Sequence, residues 1–353
     1  MRVLALPRYS SLGSSSRTRF FQYFPYLNSC GIEVQVSPLL GNDYIQGLYF
    51  KNKTPYFSVA MSYLHRIRMC AIARSFDLLW IEKELFPWLP AWTERFLNQR
   101  RIPYVVDYDD AVYLRYTTHW NPMVRAILGK NINTAMQHAA TVVVGNNFLA
   151  ENARSAGARK IEYLPTVIDL NRYPIHAKES NQFRIGWIGS PITVPYLGLI
   201  KDALQEVCRQ TNACIVLIGA GDRDPLAGLE KEKIVWDEET EVANIQSFDV
   251  GIMPLPDEPF TRGKCGYKLI QYMGAGLPLV ASPVGVNTQI VEQGKTGFLA
   301  SSQEEWVQAL VTLYHNAELR KNMGKAGRQK VETDYSLQVT APKLAEILQK
   351  ACA

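Results

Sequence analysis

Residues 261–276, TRGKCGYKLIQYMGAG, combine cations, glycines and the start of a helical pattern. Arg262 and Lys264 precede the pattern, which begins near Gly266, and Lys268 lies in its first turn. Helix N-termini carry unpaired N–H groups and partial positive charge, and glycines let the backbone approach a ligand closely. The stretch therefore predicts a phosphate site on which the three cations converge, against the alternative of a solvated surface loop.

A second glycine-bearing loop, YSSLGSSSRTR at 9–19, follows the first strand-like run. Gly13 and a run of serines precede a helical pattern with Arg17 in its first turn; the candidate residues on this side are Gly13, Ser14, Ser15 and Arg17. The serines could cap the helix, or its N-terminus could face an anion or a ligand hydroxyl. The loop matches neither the dinucleotide fingerprint nor a Walker P-loop.

A carboxylate cluster, Asp107, Asp109 and Asp110, lies in VVDYDDAVY at 105–113. Such a cluster could bind a divalent metal, position sugar hydroxyls, or supply a cap and a turn. Strand alternation would point Asp107 and Asp109 to one face and Asp110 to the other. We therefore expect no metal bound by all three.

A charged pair, Glu82 and Lys83, ends another strand-like run and is followed by an aromatic and proline-rich stretch. Phe86, Trp88 and Trp92 could dock at a membrane interface, stack on a sugar, or anchor the next helix in the core. The histidines are scattered and form neither a metal nor a triad pattern.

These residues sit at the ends of short apolar runs that alternate with helical patterns. The runs lie at 2–7, 32–40, 77–83, 103–110 and 140–146, and again at 183–190, 213–221, 233–237, 248–256 and 277–285. Helical patterns between them include 17–30 and 90–101. This order predicts an α/β protein of two doubly wound, Rossmann-like domains with parallel sheets, whose ligands bind beyond the carboxyl ends of the strands.

The polar stretch 175–182 is a plausible linker, which places the domains at 1–175 and 176–335. The chain has 353 residues, 47% of them apolar and 20% charged, as expected for a globular protein. No apolar run approaches the ~18 residues of a membrane span, and the opening residues are interpreted as a strand rather than a signal peptide. The six cysteines lack metal spacing, which favours reduced thiols in a cytoplasmic protein.

The formal net charge of +5 is unevenly distributed. Residues 1–175 contain 20 Lys and Arg against 12 Asp and Glu, which gives +8, whereas residues 176–353 contain 18 against 21, which gives −3. The basic half could meet an anionic lipid surface, an acidic substrate or nucleic acid, or could simply be solvated. No nucleic-acid recognition motif accompanies the charge, so we expect no nucleic-acid partner.

The stretch 248–299 resembles the donor site of the retaining, nucleotide-sugar-dependent glycosyltransferases of family 4 (glycosyl transferases group 1), which have the GT-B fold. The similar features are a strand ending in proline, a glycine-rich loop, a helix, and then GLPLVAS and GKTGFL. The N-terminal SSLGSSSRTRFFQYFPYL and VVDYDDA resemble the acceptor half of a subgroup found in bacterial surface-polysaccharide assembly. The resemblance implies a hexosyltransferase-type enzyme, with the last helix, 336–353, packing back on the first domain.

The resemblance also implies roles for individual residues. The implied donor-binding residues are Gly189, Ser190, Arg262, Gly263, Lys264, Cys265, Gly266, Lys268 and Gln271. The implied residues of the acceptor side are Gly13, Ser14, Ser15, Arg17, Glu82, Lys83, Asp107 and Asp110. The implied catalytic residues are Asp109, Lys264 and Gln271. The sequence departs from the family at Gly263 and Gln271, where most members have glutamates, and it lacks a basic pair in 187–197. Asp109 aligns with a position that is usually histidine.

We expect a nucleotide diphosphate sugar with UDP or GDP as co-substrate, no cofactor and no metal, and a glycan or lipid-linked acceptor. The expected location is the cytoplasm, with peripheral contact at the inner face of the cytoplasmic membrane. Two other functions stay open. The first is a non-catalytic nucleotide-sugar or glycan-binding protein of the same fold, and the second is a metal-dependent transferase that uses DYDD as a D-x-D site.

Overall fold

The computed structural model describes residues 1–47, 56–175 and 182–352. The chain forms two compact units. Unit 1 comprises Met1–Thr166, Arg262–Cys265 and Leu337–Ala353, and unit 2 comprises Val167–Thr261 and Gly266–Ser336. The first division falls before Val167, whereas the sequence suggested a boundary after residue 175. Residues 176–181 of the suggested linker lie outside the described residues.

Each unit contains a six-stranded parallel sheet in the part of the chain that is described. In unit 1 the strand order is β2-β1-β3-β4-β5-β6, with β1 (Arg2–Leu6), β2 (Glu33–Val36), β3 (Leu78–Glu82), β4 (Tyr104–Tyr108), β5 (Thr141–Val144) and β6 (Ile161–Tyr163). In unit 2 the order is β12-β11-β10-β7-β8-β9, with β7 (Arg184–Ile188), β8 (Cys214–Ile218), β9 (Lys231–Ile234), β10 (Val250–Met253), β11 (Leu279–Ala281) and β12 (Gly297–Leu299).

Helices connect the strands. The first nine are α1 (Ser14–Arg19), α2 (Phe24–Ser29), α3 (Asn42–Gln46), α4 (Tyr56–Ala71), α5 (Trp92–Gln99), α6 (Leu114–Thr117), α7 (Pro122–Leu128), α8 (Asn131–His138) and α9 (Asn147–Ser155). The others are α10 (Lys201–Gln210), α11 (Glu241–Gln246), α12 (Pro259–Arg262), α13 (Tyr267–Gly274), α14 (Asn287–Ile290), α15 (Gln303–His315), α16 (Ala317–Asp334) and α17 (Leu337–Cys352). Short 3₁₀ helices occur at Phe21–Tyr23, Ala73–Ser75, Leu170–Arg172 and Val194–Ile200.

The predicted pair of doubly wound domains is confirmed. The central strands β3 and β4 are buried along their whole length, as expected for parallel strands covered on both faces. Two strands escaped the sequence analysis, β6 and β12, because each is a three-residue edge strand. The helix predicted at 17–30 is interrupted, since α1 ends at Arg19 and a new helix begins at Phe24 with a proline in its first turn.

The core of unit 1 lies between the sheet and one layer of helices. Met69 of α4, Leu97 of α5, Met136 of α8 and Leu149 of α9 belong to one buried cluster with the strands. Right-handed crossovers put these helices on the same face, because their connections all run in one direction across the sheet. On the opposite face, α17 packs against α2, β3 and β4, and Tyr23 is hydrogen bonded to Thr340 at 3.1 Å.

No helix within the described ranges is both long and apolar enough to cross a membrane.

The first turn of α5 contains a buried carboxylic acid. Glu94 is 4% exposed and accepts a hydrogen bond from the backbone N–H of Leu85 at 3.1 Å. Burial raises the pKa of Glu94 from 4.5 to about 7. Since the folded state binds this proton more tightly than the unfolded chain does, the associated stability is complete below pH 4.5 and is lost as the pH rises to about 7.

We expect Glu94→Gln to stabilise unit 1 by about 1–3 kcal/mol at pH 8, because the amide removes a buried charge there. It should have little effect at pH 4.5, where the amide replaces a neutral carboxyl. Denaturant unfolding at both pH values measures this. Exposed Glu151 of α9 supplies the control, Glu151→Gln, which should change stability at neither pH. Equal effects of the two variants at pH 8 would contradict the assignment.

Candidate functional site

Lys83 organises the carboxyl edge of the unit 1 sheet. It follows β3 directly and has a φ of 66°, a left-handed conformation that costs a non-glycine residue roughly 1–2 kcal/mol. Its buried ammonium lies 2.8 Å from Asp109, 3.1 Å from the Ser15 hydroxyl and 3.8 Å from Asp110. The loops after β1, β3 and β4 therefore meet at one cation.

The charges of this group stabilise one another. Burial alone would lower the pKa of Lys83, but the carboxylates of Asp109 and Asp110 outweigh burial and raise it. Burial alone would raise the pKa of Asp109, but Lys83 and the hydroxyl of Ser15 hold it below its ordinary value. Asp109 is thus an ionised hydrogen-bond acceptor at neutral pH and a weak base.

Both Asp109 and Asp110 approach Lys83, so the prediction that alternation separates them is wrong. The reason is that β4 ends at Tyr108, which leaves both aspartates in a loop where strand alternation no longer applies. An ammonium group already neutralises these carboxylates. Among the described residues, no cluster of three or more metal-ligating side chains is found.

The serines after Gly13 do not cap α1. Gly13 itself occupies the N-cap position without a side-chain hydrogen bond, and a Cβ there would lie 2.4 Å from Cβ of Tyr9. Ser16 instead accepts from the backbone N–H of Tyr9 at 3.0 Å and donates to Glu82 at 2.5 Å. The loop is therefore fixed to β3, with Ser15 donating to Asp109.

Besides Gly13 and Lys83, three further predicted acceptor-side residues are buried inside unit 1. The Asp107 carboxylate accepts from the Arg19 guanidinium at 2.8 and 3.0 Å, and both side chains are 1% exposed. Glu82 accepts from the Arg8 backbone N–H at 2.7 Å as well as from Ser16. Arg17 is also buried, whereas Ser14 is exposed. Asp107 and Glu82 therefore hold the loops in place from below the surface.

The segment Arg262–Cys265 is part of unit 1. The amide of Asn146 donates to the carbonyl oxygens of Gly263 at 2.8 Å and Lys264 at 3.1 Å. The thiol of Cys265 donates to the carbonyl oxygen of Asp109 at 3.1 Å. A Cβ at Gly263 would lie 2.5 Å from Ala111, so a glutamate, usual in the family at this position, would not fit here without displacement.

Lys264 lies 3.7 Å from the carboxylate of Asp110. This contact connects the segment to the Lys83 group. The predicted convergence of Arg262, Lys264 and Lys268 on one phosphate stays a prediction.

In unit 2, glycines line the carboxyl edge of the sheet. A Cβ at Gly219, which has a φ of 74°, would lie 2.4 Å from the carbonyl oxygen of Gly189, so the loops after β7 and β8 touch through their backbones. The backbone N–H of Ser190 donates to the Thr193 hydroxyl at 3.3 Å. The edge is thus narrow and formed largely of backbone atoms, which suits close approach by a ligand.

The N-terminus of α13 lies beside this edge. Its N-cap, Gly266, has a φ of 67°, and a Cβ there would lie 2.3 Å from Ile290, so both conformation and space require glycine. The ammonium of Lys268 lies 5.4 Å from the ring centroid of Trp187, the tryptophan against which Gly189 packs. Gly189 and Lys268, two of the predicted donor-site residues, therefore both lie against Trp187, which the sequence analysis did not name.

Gln271 belongs to a buried polar group in unit 2. Its amide donates to the carboxylate of Glu241 at 3.1 Å and to the hydroxyl of Tyr173 at 3.3 Å, and the indole of Trp236 donates to the same carboxylate at 2.5 Å. Gln271 is 2% exposed and Glu241 3%. The amide at 271 is therefore complementary to a carboxylate at 241 that sequence reasoning missed.

The aromatic residues after Lys83 differ in their burial. Phe86 is buried and belongs to the unit 1 core, as the core-anchor interpretation expects. Trp88 and Trp92 are 48% and 69% exposed, so that interpretation is wrong for them.

Comparison with known protein families finds a match for part of the chain. Residues 182–316 match the family model described as Glycosyl transferases group 1. Over 91 residues the chain is 37% identical to a sulfoquinovosyl transferase from Arabidopsis thaliana, covering 24% of this chain and 17% of that protein. Over 108 residues it is 30% identical to a D-inositol 3-phosphate glycosyltransferase from Paenarthrobacter aurescens, covering 30% and 25%. These matches span about a quarter or less of each curated relative's length.

Solved structures match the fold over nearly the whole chain. A sucrose-phosphate synthase from Thermosynechococcus elongatus superposes with a TM-score of 0.74 at 13% identity, covering 99% of this chain and 98% of its own. The Anabaena protein HepE in complex with UDP-glucose gives 0.70 at 15% identity, covering 99% of both chains. WaaG, a glycosyltransferase involved in lipopolysaccharide biosynthesis, gives 0.70 at 14%, with the same coverage. The GT-B fold and the group 1 resemblance are confirmed.

We expect Gln271→Glu to destabilise unit 2 by about 3–5 kcal/mol at pH 8, because it buries a second carboxylate against Glu241. The loss should shrink at low pH, where the pair can share a proton. Adding Glu241→Gln should restore stability, since one amide then faces one carboxylate again. Thermal unfolding of the single and double variants measures this, and a Gln271→Glu protein as stable as the parent at pH 8 would disprove the contact.

We expect Lys83→Met to destabilise unit 1 by about 3–5 kcal/mol at pH 8, since Asp109 and Asp110 lose the cation that balances them. Near pH 4 the difference should narrow, because without Lys83 burial raises the pKa of Asp109 and its carboxylate takes up a proton. Exposed Lys130, next to α8, gives the control, Lys130→Met. Urea unfolding of all three proteins measures this, and equal stability of Lys83→Met and Lys130→Met would refute the central role of Lys83.

Proposed function

We propose that this chain, which carries a group 1 glycosyltransferase region at 182–316, is a glycosyltransferase. In the proposal it moves a sugar from a nucleotide diphosphate sugar to a hydroxyl of a glycan or lipid-linked acceptor, with retention, in surface polysaccharide or lipopolysaccharide synthesis. The observation that carries it is the edge of unit 2, where Lys268 and the N-terminus of α13 lie beside the glycine-lined end of β7. Ligands of open parallel sheets bind at this edge.

The chemistry required at this edge is stabilisation of a leaving diphosphate. Negative charge develops on it as the bond to the sugar breaks, and backbone N–H groups at α13 together with Lys268 would stabilise that charge. Arg262 and Lys264 are further proposed cations. In the family's front-side mechanism the departing phosphate itself accepts the proton of the acceptor hydroxyl, so that no protein nucleophile is needed.

Asp109 is the proposed contact of the acceptor hydroxyl. Lys83 and Ser15 keep its carboxylate ionised, so it can accept a hydrogen bond and orient the hydroxyl without removing its proton. Gln271 is buried, so we assign it to positioning Glu241 rather than to direct contact with the donor.

The donor is proposed to carry UDP or GDP, with no metal or other cofactor. Structures of HepE contain UDP and UDP-glucose, which favours a uridine nucleotide. The basic first half of the chain supports peripheral contact with an anionic membrane on the cytoplasmic side. A non-catalytic donor-binding protein is the second candidate, favoured by the absence of both family glutamates at Gly263 and Gln271.

Calorimetric titration with UDP, GDP and their sugars in EDTA tests the donor site. We expect one nucleotide to bind at micromolar concentration, and Lys268→Ala to weaken it about 10–100-fold, the usual value of a hydrogen bond to a charged group. If Lys268 stabilises the leaving group, its loss should also reduce turnover by about 10²–10³.

Lys321 of α16 is an exposed lysine of the same unit, and Lys321→Ala is the matched control that should bind normally. Binding without release of nucleotide from any sugar donor would favour the non-catalytic alternative. No nucleotide binding, or equal binding by Lys268→Ala, would refute the donor site.

A further inference from the structure

We propose that one face of unit 1, formed by the outer surfaces of α4, α5 and α7 and called here the outer face, docks on an anionic lipid surface. The proposal deepens the peripheral membrane contact of the proposed function by assigning it to a surface. Of the twenty large apolar side chains that are exposed in the described residues, thirteen lie between Tyr56 and Ile127. That concentration in one part of one unit exceeds the scattered exposure normal for a globular protein.

Helix α4 presents a row of apolar side chains to solvent. Phe57, Met61 and Leu64 follow one another at helical spacing, and all three are exposed, with Phe57 at 82%. The side that faces the core also contains apolar residues, with Met69 buried and Tyr63 packed against the core. Arg66 is buried on this side as well. The guanidinium of Arg66 donates to the carbonyl oxygens of Pro7 at 2.9 Å and Ser37 at 3.0 Å. Since a surface helix normally presents polar residues to water, the exposed apolar row of α4 indicates contact with something else.

Ring contacts fix the loops that precede α5 and α7, which carry two of the exposed tryptophans. Tyr63 lies 5.7 Å from Phe86, and its hydroxyl donates to the carbonyl oxygen of Pro87 at 2.7 Å. The ring centroid of the next residue, Trp88, lies 5.8 Å from that of His119. The ring centroids of His119 and Trp120 are 5.5 Å apart. The guanidinium of Arg125 fixes this last loop by donating to the carbonyl oxygens of His119 and Trp120. These contacts therefore hold the loops that carry the exposed Trp88 and Trp120 in place.

The exposed charges of this part of the chain are nearly all positive. Between residues 56 and 130, seven Lys and Arg side chains are exposed, but Asp77 is the one exposed acid. The glutamates of the same region, Glu82, Glu84 and Glu94, are buried and hydrogen bonded inside the unit. Acids thus point inwards while bases point outwards, which leaves a positive field over the apolar patch.

A lipid surface fits this combination better than a second copy of the chain. Two copies packed face to face would bring their arginines together, and like charges oppose such contact. Tryptophans and arginines instead both favour the boundary between lipid headgroups and hydrocarbon, where rings are half-buried and guanidinium groups meet phosphate.

The test is cosedimentation of the full chain with vesicles of phosphatidylcholine, with and without phosphatidylglycerol, at low and high salt. We expect binding that requires phosphatidylglycerol and weakens with salt. Arg68→Glu with Arg95→Glu should reduce it by at least about 25-fold, since each surface cation contributes about five-fold. Trp92→Ser with Trp120→Ser should reduce it at both salt concentrations.

Controls come from exposed residues of unit 2: Lys321→Glu with Lys325→Glu for charge, and Leu199→Ser for apolar surface. These should bind vesicles like the parent protein. UDP and GDP titration of every variant verifies folding and separates the two proposals, because donor binding can fail while vesicle binding holds, and the reverse.

Three results would overturn the assignment. The first is no binding to phosphatidylglycerol vesicles, and the second is equal loss in the control variants. The third is a dimer in sedimentation equilibrium that Trp92→Ser with Trp120→Ser dissociates, without vesicle binding by the parent, which would assign the outer face to a second copy of this chain.

Discussion

The ammonium of Lys83 is the interaction on which unit 1 depends. Three loops converge there, and they carry carboxylates that could not be buried together without a cation among them. Lys83, Arg19 and Arg8 balance buried acids from within the unit. Between residues 56 and 130, seven Lys and Arg side chains but one acid are exposed, so the basic character of this half is expressed at its surface.

The sequence predicted the architecture well because alternation of short apolar runs and helices is a local signal. It also predicted that a helix begins near Gly266 with Lys268 in its first turn, since this signal lies within one turn of the chain. It failed where the partner is distant in the chain. Arg19 and Asp107 are separated by 88 residues, so no local pattern distinguishes a buried ion pair from a ligand contact. Helix α4 illustrates a related limit, because it carries apolar residues on two sides and helical spacing alone does not tell which side is exposed.

The group around Gln271 shows how a departure from a family pattern can be understood. Taken alone, an amide in place of a carboxylate suggests a weakened site. In the structure, the amide faces the carboxylate of Glu241, which Trp236 also holds. The two positions therefore constrain each other, and either residue is interpretable only when the other is known.

Unit 1 is assembled from parts that are far apart in the chain. Helix α17 follows all of unit 2 in sequence, yet packs on α2, β3 and β4. A ribosome therefore releases every residue of unit 2 before the last element of unit 1 is available. Until then the apolar surface that α17 covers has no native partner. In the folded protein α17 covers it with buried side chains that include Leu344 and Leu348. Unit 1 is thus begun first and completed last, and a nascent chain must keep that surface from other contacts throughout the synthesis of its second half.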